Sequence, residues 1–330
     1  MSMEKIAGHS SVKKMLNDII SSGKIGHAYI FEGLSGVGRL TTALCFASEI
    51  AVCRKNLLPE NNPDIIIVSN EVFDPDSKAK ALTVETSRNM KKDVYIKPFM
   101  SERKIYIIPN ADTMTTEAQN SILKVFEEPP EYCSIILISE NENLLLQTIR
   151  SRATTVKFRP LPFETVKEYL IKEKSLDEKT ADIYAVMSGG SIGKALLLMD
   201  DNDAASIREE LIKLLIMFPS GGHKNLYDFI KFLKLNKSDF DLIVDILSKW
   251  SSDALHIKLY GDADVINKDK VSELKEFSKH ITRKAAFNFL DIITKYSLII
   301  RKNANYPIAV TCMATEYWEE INGRNYRSSI

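Results

Sequence analysis

The tightest constraint on the fold is the glycine-rich turn Gly33-Leu-Ser-Gly-Val-Gly-Arg-Leu40. It follows His27-Ala-Tyr-Ile-Phe-Glu32, which reads as a buried strand, and opens Thr41-Thr-Ala-Leu-Cys-Phe-Ala47, which reads as a helix. Gly33, Gly36 and Gly38 stand at the spacing of a phosphate-binding loop. A working loop of pattern G-x-x-x-x-G-K-[ST] cradles phosphates with backbone N–H groups, reaches the outer phosphates with Lys and holds Mg²⁺ with a hydroxyl. Here Arg39 takes the Lys position and Leu40 the hydroxyl position. Thr41 is no substitute, because one helical step turns a side chain by ~100°. Arg39 keeps the ability to grip phosphate bidentately. Gly33, Gly36, Gly38 and Arg39 are therefore the candidate cofactor-binding residues of a degenerate loop: residual nucleotide binding stays open, and efficient Mg²⁺-assisted hydrolysis is not expected.

Around this turn, the first 160 residues alternate short β-branched runs with helical patterns, which predicts a parallel sheet covered by helices. Strands are expected at Ala28–Phe31, Ile65–Val68, Ile105–Ile108, Ile135–Ile138 and Thr154–Phe158. Val12, Met15, Leu16 and Ile19 share one face of a helix over Ser11–Ile20, which Gly23 ends. A second helix spans Thr116–Glu128, with Thr116 and Gln119 as a capping box and Pro129-Pro130 as its stop. A short helix is expected over Asn143–Arg150. Pro160-Leu-Pro162 marks a boundary, and beyond it everything reads helical. Residues 163–200 suit about three helices, with Ser188-Gly-Gly-Ser-Ile-Gly-Lys194 as a turn. Long amphipathic patterns fill 205–302, notably Leu211–Met217, Tyr227–Leu235, Phe240–Leu259 and Ala285–Ile300. The expected division is an α/β domain over 1–160, a small helical unit over 161–204 and a helical domain over 205–330.

Charge and cysteines narrow the function classes. Lys plus Arg equals Asp plus Glu at 44 each, so no global field draws the chain to nucleic acid or membrane. Any DNA contact has to come from a local patch or through a partner. Cys45, Cys53, Cys133 and Cys312 are scattered without C-x-x-C spacing, which suits buried free thiols in a reducing compartment rather than zinc or a disulfide framework. No stretch approaches the ~20 apolar residues of a membrane span, and the N-terminus has no apolar signal region. A cytoplasmic protein with no membrane partner is expected.

A second stretch agrees with the altered loop. NTPases with such a loop end a later strand with acidic residues that hold the metal and position water. The third strand here runs Lys104-Ile-Tyr-Ile-Ile-Pro-Asn-Ala-Asp112, which places Pro109 and Asn110 at those positions. Asp112 lies beyond the strand end.

Several motifs together resemble the bacterial DNA polymerase III clamp-loader subunits of the AAA+ superfamily. They are Ile6-Ala-Gly-His9, Gly26-His27-Ala28-Tyr29, the altered loop, Asn62-Pro-Asp-Ile65, Ala118-Gln-Asn-Ser-Ile-Leu-Lys-Val-Phe-Glu-Glu-Pro-Pro130 and Thr148-Ile-Arg-Ser-Arg152. The resemblance covers roughly residues 5–200. Beyond 205 it rests on helical character and on Asn303-Ala-Asn-Tyr-Pro307.

The resemblance implies an AAA+-like P-loop domain with a degenerate ATP site over 1–160, a helical lid over 161–204 and a helical collar for oligomerisation over 205–330. It implies Arg152, in Ser151-Arg152-Ala153, as an arginine finger acting in trans on a neighbour's ATP. Lys194 falls where ATP-active members use a sensor cation. Cys53 alone remains of a four-cysteine zinc module, so no zinc is expected, and no cofactor beyond that open question of nucleotide. The implied role is a non-hydrolysing stator, without intrinsic ATPase activity, in a hetero-oligomer that opens the sliding clamp. The implied partners are the gamma/tau motor subunits, the delta subunit, the sliding clamp and primer-template DNA. Two other readings stand beside it: an ATP-active motor subunit of the same loader, and a repurposed module serving only protein interaction.

Overall fold

A computed structural model describes residues 3–52, 61–79, 81–200, 203–219, 222–261 and 264–327. Cys53 lies outside the described residues. By packing, the chain divides into two units, 1–175 with 188–194, and 176–187 with 195–330. These limits fall elsewhere than the 160/161 and 204/205 boundaries drawn from the sequence.

In the first unit, five strands form one parallel sheet: β1 Ala28–Glu32, β2 Ile65–Ile67, β3 Lys104–Ile108, β4 Cys133–Ser139 and β5 Thr154–Lys157. The spatial order is β2-β3-β4-β1-β5, which centres β1, β3 and β4 and leaves β2 and β5 at the edges. The β1–β4 register pairs Ala28 with Ile135 and Ile30 with Leu137. Helix α1 Ser10–Ser22 precedes the sheet, α2 Arg39–Ala51, α3 Asn70–Phe73, α4 Val84–Val94, α5 Thr116–Glu127 and α6 Gln147–Arg150 fill the crossovers, and α7 Phe163–Lys174 follows β5.

Both faces of the sheet are buried, which is why its central strands read as continuous apolar runs rather than alternating ones. Tyr29, Phe31, Ile105, Ile107, Ile136 and Ile138 pack on one face with Leu16 of α1 and Phe46 of α2. Ala28, Ile30, Tyr106, Ile108, Ile135 and Leu137 pack on the other with Met90 of α4 and Ile122 and Phe126 of α5. The Asn62-Pro-Asp-Ile65 motif has a physical role here. Asp64, 1% exposed, accepts the backbone N–H groups of Phe99, Met100 and Ser101 at 2.6–2.7 Å and so fixes the turn that feeds β3.

The second unit is helical: α8 Glu178–Ser188, α9 Ile192–Asp200, α10 Ala204–Met217, α11 His223–Leu235, α12 Phe240–Tyr260, α13 Val271–Lys279, α14 Arg283–Arg301 and α15 Tyr306–Arg327. The ends of α8 and α9 nearest the intervening turn, Ser188 and Ile192–Lys194, group with the first unit. Trp250 of α12, Phe277 of α13, Phe289 of α14 and Tyr317 of α15 lie in one apolar core, and the Phe289 and Tyr317 rings stack at 4.1 Å. Among the described residues, Arg208 and Asp253 carry charge into that unit's interior. Arg208, 1% exposed, grips Asp269 with two hydrogen bonds of 2.8 Å and Asn267 with a third of 2.9 Å, so the buried guanidinium is paired.

The parallel α/β architecture with a mostly helical remainder thus matches the sequence reading, and the five strands fall where expected within two residues. Three local expectations are corrected. The cap of α5 is Thr115, whose hydroxyl accepts from Ala118 N; Thr116 is already inside the helix. Gln119 takes no part in a capping box, because its amide is drawn to Met114 O, Leu144 O and Leu146 N. The helix expected over Asn143–Arg150 starts only at Gln147, since Leu145 is extended and Gln119 binds Leu144 O and Leu146 N on either side of it.

Candidate functional site

Gly33 leaves the end of β1 and donates its N–H to Ser139 O of β4 at 3.2 Å. A Cβ at Gly33 would lie 2.4 Å from Phe158 O, so no larger residue fits beside the chain leaving β5. Gly36 has φ +72°, in the left-handed region that glycine adopts freely. A Cβ there would lie 2.5 Å from Ser191 Oγ. The loop therefore carries the Ser188–Lys194 turn directly on it: Ser191 Oγ donates to Ser35 O at 2.9 Å, and Gly193 N donates to Gly36 O at 2.8 Å. From the other side, His9 Nε2 bonds Val37 O at 2.8 Å. Burial holds the His9 imidazole below its ordinary pKa, which favours the neutral ring.

Arg39 is the first residue of α2, and Gly38 precedes it in the left-handed conformation. Its side chain does not reach into solvent. The residue is 5% exposed, and Nη2 stands 3.7 Å from Glu140 Oε1, just past the end of β4. Nη1 is buried without a hydrogen-bond partner. Burial lowers the Arg39 pKa, while the charges of Glu140 and Asp112 act to raise it. Asp112 Oδ2 accepts the Glu140 N–H at 3.0 Å and thereby fixes the residue that faces Arg39. Leu40 is 40% exposed, and the buried Thr42 hydroxyl is spent on Gly38 O at 2.8 Å. At the end of β3, Asn110 turns with φ +49°, and Pro109 precedes it. The strand ends where a metal and a water would be managed carry one carboxylate on each of two loops, Asp112 and Glu140, and both are engaged as described.

Lys194 belongs to this neighbourhood through its backbone. Its N–H donates to Ser191 Oγ at 3.1 Å, and Gly36 lies against the same segment. Gly33, Gly36, Gly38, Arg39 and Lys194 are thus brought together in one packing unit.

Arg152 lies elsewhere in that unit. Gln119 of α5 accepts Leu146 N at 2.8 Å and donates to Leu144 O, which fixes the loop leading into α6. After α6 the chain turns at Ser151, and Arg152 Nη1 donates to Thr148 O at 3.0 Å. Its Nη2 stands 3.6 Å from Glu127 Oε1 at the end of α5, and the side chain is 39% exposed. Arg150 takes a different course, bonding Asn143 Oδ1 and Gln147 Oε1 at 2.9 and 2.7 Å. Glu140, Ser191 and His9 were not singled out from the sequence as residues that shape the loop. Only Glu140 carried a usable signal, being an acid placed directly after a buried apolar strand.

Of the cysteines, Cys45 and Cys133 are buried free thiols as expected, and burial pushes the Cys133 thiol up to about 12. Cys312 is exposed, because its position on α15 falls outside the stripe formed by Tyr306, Val310, Met313 and Tyr317. Among the described residues, no helix is long and apolar enough to cross a membrane.

Comparison with known proteins places these features. Residues 8–162 match the family model described as DNA polymerase III, delta subunit. The chain is 28% identical over 311 residues to DNA polymerase III subunit delta' of Bacillus subtilis, covering 89% of this chain and 91% of that one. It is 26% identical to DNA polymerase III subunit tau of the same organism, covering 88% of this chain but 57% of that one. Among solved structures, the RuvB Holliday junction branch migration motor of Thermotoga maritima aligns over 78% of each chain at 16% identity, with a TM-score of 0.45. Over residues 8–162 by the family model, and over most of its length by the Bacillus subtilis delta' subunit, the chain is thus similar to the DNA polymerase III clamp-loader subunits.

Proposed function

We propose that this chain is a delta'-type, non-hydrolysing stator of a DNA polymerase III clamp loader. The observation that carries the reading is the end of β3, where Pro109 and Asn110 occupy the metal- and water-handling positions. Proline offers neither carboxylate nor N–H, and an asparagine amide takes no proton from water at neutral pH. Leu40 supplies no hydroxyl for Mg²⁺, and the Arg39 guanidinium faces Glu140. The similarity to a tau subunit is compatible with an ATP-active motor, but Leu40, Pro109 and Asn110 all count against that alternative.

The chemical contribution is Arg152. A guanidinium presented to a neighbour's ATP neutralises charge developing on the transferred phosphoryl group and can be worth ~10³–10⁵ in rate. The chain acts in the cytoplasm, in a hetero-oligomer with gamma/tau motor subunits and a delta subunit. With them it helps to place the sliding clamp on primer-template DNA. Residues 1–160 are its P-loop domain, 161–204 its lid and 205–330 its collar. It carries no zinc.

The test is ATP turnover by the purified chain alone. The reading expects none above background. Turnover at rates typical of AAA+ enzymes, abolished by Asn110→Ala, would instead make the chain a motor.

A further inference from the structure

Lys plus Arg balances Asp plus Glu over the whole chain, so any grip on a polyanion has to be built locally. Helix α11 carries such a place. Its inner side, Phe229, Phe232 and Leu233, is buried in the core of the second unit. Its outer side leaves Lys224, Tyr227, Lys231 and Lys234 exposed. At ~100° per residue these four fall within about 80° of arc, along ~15 Å of helix axis. Among the described residues, none of the three ammonium groups stands in an ion pair, and Asp228, half-buried beside them, stands in none either. Elsewhere in the second unit, Lys270, Lys295 and Arg301 are matched by Glu209, Glu316 and Asp241. Lys231 and Lys234 are helical neighbours of like charge, which repel each other. Between the cations the Tyr227 ring is 66% exposed, with its apolar faces in water.

We propose that this face of α11 binds single-stranded nucleic acid. Lys224, Lys231 and Lys234 hold phosphates, and Tyr227 offers a ring on which a base stacks. A polyanion supplies the charge that the lysines lack, and a base covers the aromatic face that water now meets. An acidic protein would satisfy the lysines alone, because a carboxylate has no ring to lay on Tyr227. A duplex fits less well, since its bases are already stacked on one another. The inference goes beyond the stator reading: it assigns a nucleic-acid contact to the helical unit, through groups that take no part in nucleotide chemistry.

The full chain is titrated into a fluorescein-labelled oligothymidylate of about 16 nucleotides, with anisotropy as the readout. Three phosphate contacts predict a slope of about −2 in log K against log salt, a loss of about 20-fold between 50 and 200 mM. Lys231→Gln should reduce the magnitude of that slope by about 0.7. The triple variant Lys224→Gln/Lys231→Gln/Lys234→Gln should abolish saturable binding. Tyr227→Ala should weaken binding by about tenfold with the slope unchanged, and Tyr227→Phe should keep wild-type affinity. The four side chains are exposed, so the variants should share the circular dichroism of wild type. No saturable binding by wild type at about 50 mM salt overturns the proposal, as does wild-type affinity in the triple variant. Wild-type affinity in Tyr227→Ala, with polyglutamate competing as well as unlabelled DNA, overturns it in favour of an acidic protein. None of these outcomes depends on ATP turnover, which tests the stator reading by itself.

Discussion

Two arginines in the same packing unit are treated in opposite ways. Arg39 is drawn inward at 5% exposure and faced by Glu140, in a loop held by Ser191, Gly193 and His9. Arg152 stands at an edge with its side chain 39% exposed, held loosely by Glu127 and by one backbone carbonyl. The first cation is buried against its own chain, and the second stands partly in solvent. The account therefore expects substitutions around the loop to register in folding and substitutions at the edge to register in the partner's chemistry.

The largest effect on folding should come from Gly33→Val. Its Cβ would meet a backbone oxygen, which cannot step aside as a flexible side chain would. A loss of roughly 3 kcal/mol or more is expected in urea unfolding followed by circular dichroism. A change under about 0.5 kcal/mol would show that the loop is not held as described.

Asp64 and Arg39 sharpen the contrast between a buried charge that is fully bonded and one that is not. Burial alone would raise the Asp64 pKa, but the N–H groups of Phe99, Met100 and Ser101 outweigh it and hold the carboxyl below its ordinary value. Such a group contributes stability at pH values above the ordinary carboxylate pKa, and that contribution is lost as pH falls through the folded-state value. Asp64→Asn should cost about 1–3 kcal/mol at neutral pH. The gap from wild type should narrow on acidification, and a gap independent of pH would mean the charge is not what matters. Arg39→Met should stay within about 1 kcal/mol of wild type in either direction, because replacing an underbonded buried ion by an apolar side chain is often neutral. A loss beyond 3 kcal/mol would show that Arg39 has partners the geometry does not provide.

The smallest effect is expected at the open edge. Glu127→Gln removes a contact between two partly exposed groups, so stability should move by less than about 0.5 kcal/mol. A shift beyond 1 kcal/mol would place Arg152 among the structural residues.

The closed loop was the more legible region in sequence. Its glycines, and the apolar runs of β1, β3 and β4, follow from backbone conformation and burial, which act locally. The contacts that close it, to Glu140, Ser191 and His9, join residues far apart in the chain and leave no local pattern. The same holds for Gln119, whose amide is pulled from a capping role by the loop at Leu144–Leu146. In the helical unit, α10, α11, α12 and α14 were visible as stripes. Helix α15 was covered only by the general helical reading and not singled out, although Tyr306, Ala309, Val310, Met313, Ala314 and Tyr317 keep a helical spacing and Pro307 sits in its first turn. The nine-residue α13 was likewise not singled out, being short and charged outside Leu274 and Phe277.

The central claim is that the useful cation of this chain is Arg152 and not Arg39. The direct measurement is ATP hydrolysis by the loader reconstituted with its motor and delta subunits, clamp and primed DNA, comparing Arg39→Met with Arg152→Ala in equal amounts of assembled complex. The account predicts a rate near wild type for Arg39→Met. For Arg152→Ala it predicts a fall of about 10³-fold at the ATP site that the residue completes, with little recovery in Arg152→Lys, whose compact ammonium lacks the planar fork. Wild-type hydrolysis with Arg152→Ala, or a collapse with Arg39→Met alone, would contradict it.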